Sequence, residues 1–308
     1  MIAFQATKMT VVSFAPRFLL VIILVRTLCE ASSIVPGAIW TDRNGNPIQS
    51  HKGSFIEHEK HWYWFGLDGT DQSLDAKKVK VYRSVDLLSW EFQRDALSLE
   101  KSLSSSINSR GLIIENPKVI YNEQHGKFVM WFHLDDAFYS VAKLGVAYSF
   151  KVDGPYTYLG SVSPLNHDSR GMTVWKDDDG SAYIISGSSW NRNTVIASLS
   201  SDYLTIDSKV FEFCNVGWES FGMMKAKGLY YLIASGFNGT ETNGNYYVYS
   251  EYLEGPWSDP EEISPRHAND FRFRTNDVIS ISNETFIWAA DSSNDTDFTD
   301  PRCGCIIV

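Results

Sequence analysis

KFVMWFH (127–133) is a run of aromatic, branched and long apolar side chains, and LGVAYS (144–149) follows it as a second such run. Short runs of this composition, bounded by turn-forming residues, read as strands. The pair recurs about every fifty residues: HWYWFG (61–66) with VKVYRS (79–84), SAYIISGS (181–188) with TVIASLS (194–200), and LYYLIASG (229–236) with YYVYSE (246–251). TFIWAAD (285–291) opens a fifth set. The turns repeat too, because DGPY (153–156) and EGPW (254–257) occupy the same place after their strands. No long stretch shows a 3.6-residue period. A fixed period with several strands per repeat predicts an all-β chain folded as a β-propeller, with a β-sandwich as the alternative. The units fall near 36–96, 112–165, 168–214, 217–265 and from 270. This predicts five blades, the fifth truncated. The terminal CGCIIV (303–308) shows no recognisable closing strand, so a chain cut before its natural end is expected.

The 308 residues carry 27 Lys plus Arg against 37 Asp plus Glu, a net charge of −10, which excludes a phosphate-tracking surface and hence nucleic acid as a partner. Aromatic residues make up 14 % of the chain, which suits sheets whose rings also line a sugar-stacking cleft. At the N-terminus, Lys8 and Arg17 precede an apolar run at 18–25, and Cys29-Glu30-Ala31 ends it in the small-x-small pattern of a cleaved leader. That run is far shorter than the ~20 residues a membrane span needs. Residues 1–31 are therefore expected to be a signal peptide and 32–308 one secreted, extracellular domain with no membrane span. Cleavage removes three positive charges and one negative, leaving −12. Asn238, Asn283 and Asn294 each open an N-x-Thr sequon, as in a glycoprotein. Cys214, Cys303 and Cys305 remain after the leader; their spacing suits no metal site, and one disulfide or none is expected. No cofactor is called for, and the chain is expected to be a monomer.

The innermost strand of each propeller blade points its ends into a central funnel, so polar residues at the starts of those strands are the site candidates. Two carboxylates qualify. Glu115 begins ENPKVIYN (115–122), and Glu219 lies in GWESFG (217–222) between Trp218 and Phe221. Apolar neighbours disfavour the ionised form of a carboxyl, and a general acid needs that. Either residue alone reads first as a blade-bridging salt bridge. Both at equivalent blade positions point to function. Trp218 is a candidate for stacking on a pyranose face, whereas Trp64 and Trp131 lie inside strands and read as core. The carboxylate run at 177–179 falls in a turn with Gly180 and reads as a solvated loop rather than a calcium site.

Across residues 34–290 the chain resembles glycoside hydrolase family 43, and within it the exo-β-1,3-galactanase branch. The matching segments are GAIWTDRNGNPIQSHKG (37–53), WYWFG (62–66), SVDLLSWEFQRDALS (84–98), IENPKVIYNEQHGKFVMWFH (114–133), GVAYSFKVDGPYTYLGS (145–161), DSRGMTVWKDDDG (168–180) and the Glu219 segment with YYLIAS (230–235). The resemblance implies a five-bladed propeller and an inverting glycosidase, with Glu219 as proton donor. It makes Glu115 a second carboxylate that binds sugar hydroxyls or tunes the donor. The family's usual Asp base in blade one is absent from the segment at 48–53, as it is in the galactanase branch, where an amide from blade five serves the water. Gln49, His51, Arg170, Trp218, Thr275 and Asn276 are the candidate substrate-binding residues. Two positions depart from the pattern: Gly171 stands where an Asp is expected after Ser169-Arg170, and Thr275 stands at the amide's place, with Asn276 adjacent. The expected partner is a polysaccharide or oligosaccharide. Two function classes follow, a secreted exo-acting glycosidase on a β-1,3-linked galactan or a related polysaccharide, with an arabinofuranosidase or xylosidase as variant, and a catalytically impaired glycan-binding propeller.

Overall fold

The computed structural model describes residues 34, 38–71, 73, 75–100, 111–236, 244–263, 273–282, 284–292 and 303–307. Strands β1 (His51–His58), β2 (His61–Leu67), β3 (Ala76–Ser84) and β4 (Glu91–Glu100) form one antiparallel sheet in chain order. The same order holds for β5 (Ile113–Asn122), β6 (Lys127–Asp135), β7 (Lys143–Ser149) and β8 (Thr157–Val162), and for β9 (Met172–Lys176), β10 (Ala182–Ser188), β11 (Asn193–Leu199) and β12 (Ile206–Phe213). A fourth sheet holds β13 (Trp218–Ala226), β14 (Leu229–Gly236), β15 (Asn245–Ser250) and β16 (Glu261–Glu262). A three-stranded sheet holds β17 (Phe273–Ser282), β18 (Thr285–Ser292) and β19 (Cys303–Ile307).

The arrangement is an all-β propeller, and β6 shows why its sequence is apolar throughout. Successive side chains of a strand point to opposite faces. Phe128, Met130, Phe132 and Leu134 enter the core shared with β2–β4, while Val129 and Trp131 enter the core shared with β9–β11. Both faces are therefore covered, and each large side chain buried there contributes roughly 1.5–3 kcal/mol. The third and fourth sheets share a core built on Ile185, Phe213, Trp218, Phe221 and Leu232. Ile233, Trp288 and Ala290 join the fourth sheet to β17–β18. A last cluster of Trp64, Tyr82, Trp90, Ile279 and Ile287 joins β17–β18 back to the first sheet. The first strands follow the same circuit, with β1 against β5, β5 against β9, β9 against β13, β13 against β17, and β17 against β1.

The repeated turns are equivalent in detail. In one, Gly154 N–H donates to the Lys151 carbonyl (3.1 Å) and Tyr156 OH to that of Val152 (2.9 Å). In the other, Gly255 N–H donates to Tyr252 (3.0 Å) and Trp257 Nε1 to Leu253 (3.1 Å). Two expectations are corrected. Cys303–Ile307 is a strand, paired antiparallel with β18 from Ile287↔Ile307 to Asp291↔Cys303. The acidic turn is not wholly solvated, because Asp177 is buried and accepts from Lys225 Nζ (2.7 Å) and Tyr230 OH (2.8 Å), linking the third and fourth sheets. Burial alone raises the Asp177 pKa; the Lys225 and Tyr230 bonds outweigh it and hold the group below its ordinary value. Cys214 is exposed and free. The expected leader (1–31) and the sequon asparagines Asn238, Asn283 and Asn294 lie outside the described residues. Among the described residues no helix is long and apolar enough to cross a membrane.

Candidate active site

Four of the five first strands carry an extra residue near their start relative to the strand they pair with. The extra residue lies between His51 and Ser54 in β1, between Glu115 and Lys118 in β5, between Trp218 and Ser220 in β13, and between Thr275 and Asp277 in β17. A β-bulge re-aims side chains and is over-represented beside active sites. The bulges contain Lys52, Glu219 and Asn276, and Glu115 flanks the one in β5. Lys52 (φ 54°) and Asn116 (φ 52°) are left-handed.

Glu115 accepts from Lys52 Nζ at 2.6 Å and from Tyr139 OH at 3.2 Å. Burial pushes its pKa up, but the Lys52 ammonium, His133 and the Tyr139 hydroxyl outweigh it and hold the carboxyl below its ordinary value. Tyr139 is pushed up by burial and by Glu115, so it stays a donor. The His133 ring stacks on Tyr139 at 6.3 Å and places Nε2 3.1 Å from Asp135 Oδ2. Asp135 is fully buried and also accepts from Val141 N–H (2.8 Å) and Arg170 Nη1 (3.2 Å). Arg170 is thus fixed between Asp135 and Asp168, its Nε 3.4 Å from Asp168 Oδ2.

Glu219 lies 3.1 Å from Arg274 Nε, with its side chain 11 % exposed. The apolar setting expected from Trp218 and Phe221 is corrected. Both rings are buried in the core between the third and fourth sheets, Trp218 packing on Phe213 at 5.3 Å, so Trp218 offers no face to a sugar. Thr275 is also core. Its Oγ1 accepts from Trp288 Nε1 (3.2 Å) and shares a hydrogen bond with Ser235 Oγ (3.1 Å), which uses the hydroxyl to join the fourth sheet to β17–β18. Asn276 occupies the bulge instead. Gln49 Oε1 and His51 Nε2 are buried and have no hydrogen-bond partner among the described residues, so a sugar hydroxyl or a water can satisfy them.

Sequence reading missed Lys52, Lys118, Tyr139 and Arg274. Lys118 is buried, and its ammonium donates to the carbonyls of Gly53 in β1 and Asn276 in β17. Carboxylates brace the same seam. Asp277 accepts Phe55 N–H (2.8 Å) and Asp291 accepts Lys52 N–H (2.6 Å). Gly171 has a steric explanation. A Cβ there would lie 1.3 Å from the Glu219 carbonyl oxygen, so no side chain fits while β9 approaches Glu219 this closely. Gly171→Ala is expected to cost about 1–3 kcal/mol of stability by overpacking and to displace Glu219. Urea unfolding together with a rate measurement checks this; wild-type stability with a wild-type rate would overturn it.

Residues 45–235 match the family model of glycosyl hydrolases family 43. The chain belongs to glycosyl hydrolase family 43. Three solved structures are each similar to the chain over 89 % of its length. The exo-β-1,3-galactanase of Phanerochaete chrysosporium, seen with galactose, is 34 % identical with a TM-score of 0.83, and this chain spans 64 % of its length. An exo-β-1,3-galactanase from Clostridium thermocellum is 29 % identical with a TM-score of 0.79, with 62 % of its length spanned. A family 43 β-1,3-galactosidase seen with galactodeoxynojirimycin is 27 % identical with a TM-score of 0.77, and 94 % of that chain is spanned. No curated protein matches the chain.

Proposed function

We propose that this family 43 chain is a secreted exo-acting glycosidase that releases galactose from a β-1,3-linked galactan with inversion. The observation that carries the reading is the convergence of bulged first strands on one funnel, with Glu219 and Glu115 held in two of them. Glu219 protonates the leaving oxygen. Glu115, kept ionised by Lys52 and Tyr139, accepts hydrogen bonds from sugar hydroxyls. An inverting enzyme also needs a water held on the opposite face of the ring, with acid and base about 6.5–9.5 Å apart. Our candidates for holding it are Asn276, at the β17 bulge, and His51, whose Nε2 has no hydrogen-bond partner among the described residues. The three-stranded sheet is the fifth blade, which makes the propeller five-bladed. The leader at 1–31 and the three sequons support secretion, and nothing in the site requires a second copy.

A glycan-binding propeller without turnover is the second reading. It is favoured by Gln49 and His51 standing in the first blade where a carboxylate base would be, and by the Arg274 guanidinium on the proposed donor. Incubating the purified chain with β-1,3-galactan, aryl β-galactosides, arabinofuranosides and xylosides separates the possibilities. Galactose released as the α-anomer, read by NMR within the first turnovers, supports the proposal. A folded wild type that releases no sugar sinks it, and oligosaccharide binding by calorimetry without release establishes the second reading. Preference for arabinofuranosides or xylosides reassigns the substrate within the family.

A further inference from the structure

The turn joining β10 to β11 is built at a conformational cost. Ser189, Trp190 and Asn191 are three consecutive non-glycine residues in the left-handed region, at φ 53°, 58° and 59°. Such residues persist only where the surroundings over-determine them, and they cluster at ligand clamps. Asp168 supplies the constraint, accepting Ser189 N–H (2.6 Å) and Trp190 N–H (3.0 Å). The result is an indole 66 % exposed, with the Arg170 guanidinium carbon 3.9 Å from its ring centroid. Arg170 is itself buried, donating from Nη1 to Asp135 and to the Tyr139 carbonyl (2.8 Å) and ion-paired with Asp168. A connecting turn needs no indole, and exposing one forgoes its burial.

Beside this ring is a cleft of about 500 Å³, lined by Tyr139, Asn166, His167, Asp168, Arg170 and Trp190 among others. Two of its lining residues adjoin the candidate site. Tyr139 OH touches Glu115, and Arg170 leads directly into Gly171, which rests against the Glu219 backbone. The guanidinium is compensated by Asp135 and Asp168, so the cleft offers no free positive charge for an anion. It presents an aromatic surface braced by Arg170 and the Asp168-held turn, with hydroxyl-, amide- and imidazole-type partners around it, the chemistry that recognises a neutral pyranose by its C–H face and its hydroxyls.

We propose that Trp190, held on Arg170 by the Asp168-clamped turn, is the stacking platform for the sugar next to the bond being cut, on the leaving-group side. This deepens the glycosidase reading and rests on it. Trp190 is then a binding residue for oligosaccharides and irrelevant to a substrate that ends at the cleaved bond.

The test compares wild type, Trp190→Ala and Trp190→Phe on β-1,3-galactobiose and on β-galactosyl fluoride, whose leaving group cannot reach the cleft. With Trp190→Ala, kcat/KM on galactobiose is expected to fall about tenfold, or about 1.4 kcal/mol, through KM. The fluoride rate should stay within about twofold of wild type, and Trp190→Phe should recover most of the loss. Equal losses on both substrates, or no loss on either, overturn the platform while leaving the glycosidase reading intact. If the wild type turns over neither substrate, galactobiose affinity by calorimetry is the readout. Affinity that Trp190→Ala abolishes upholds the platform in a binding protein, and affinity that is unchanged or absent overturns it.

Discussion

Glu219→Gln is expected to leave a folded propeller whose sugar release is lower by about two to four orders of magnitude, the range a positioned general acid contributes. The amide keeps the shape of the carboxyl but has no acidic proton for the leaving oxygen. The residue occupies the extra position of the β13 bulge, and its backbone is seated against Gly171, so the substitution perturbs chemistry rather than packing. Initial rates on β-1,3-galactan, with an unchanged unfolding midpoint as the control for folding, make the measurement. A variant retaining more than a tenth of the wild-type rate would remove Glu219 from the donor role.

Lys118→Met is expected to cost stability heavily, by about 3–5 kcal/mol, because removing one member of a buried ionic set strands the others. The substitution preserves length and apolar volume but leaves the carbonyls of Gly53 and Asn276 without their donor and withdraws the charge facing Asp277 and Asp291. Burial pushes the Lys118 ammonium down to about 8, against the upward pull of Asp277 and Asp291. The folded state therefore binds this proton less tightly than the unfolded chain, whose lysines titrate near the ordinary value of 10.5. Between these pH values the unfolded chain holds a proton that the folded chain has released, so this group's contribution to stability rises with pH. It is complete above the ordinary lysine value and is lost as pH falls from there towards about 8. Denaturant unfolding of both proteins between pH 7 and 11 should show the gap between them widening upward through that window. A loss below about 1 kcal/mol would show that Lys118 does not hold this seam, and a gap independent of pH would show that the folded chain does not release this proton early.

Much of this was legible in the chain. Continuous apolar runs such as KFVMWFH marked strands covered on both faces, and the spacing of those runs gave the repeating sheets. The positions of Glu115 and Glu219 at the starts of first strands were readable because turn residues bracket them. What escaped was whatever depends on which sheets meet. Lys52, Arg274 and Tyr139 acquire meaning only when separate sheets bring them beside Glu115 and Glu219. Trp218 misled because adjacency in sequence was read as adjacency in space, although a strand sends neighbouring side chains to opposite faces. Thr275 and Asn276 exchanged roles for the related reason that one extra residue in β17 reverses which of the two faces the core. β19 was missed because its five residues, CGCII, carry too little strand signature to stand out.

The closing seam has a consequence for when the protein becomes competent. Among the described residues no ladder joins the first sheet to β17–β19. The join consists of the apolar cluster around Trp64 and Trp90, the Lys118 clasp and the carboxylates of Asp277 and Asp291. Each of these pairs residues from the first two sheets with residues more than 150 positions later, such as Lys118 with Asn276 and Phe55 with Asp277. Domains emerge from the ribosome N-terminal end first, and contacts of such sequence separation form late. Arg274 also reaches Glu219 only with that last sheet. A growing chain can thus assemble most of its sheets and still present an unfinished ring, which closes only once β17–β19 have been made.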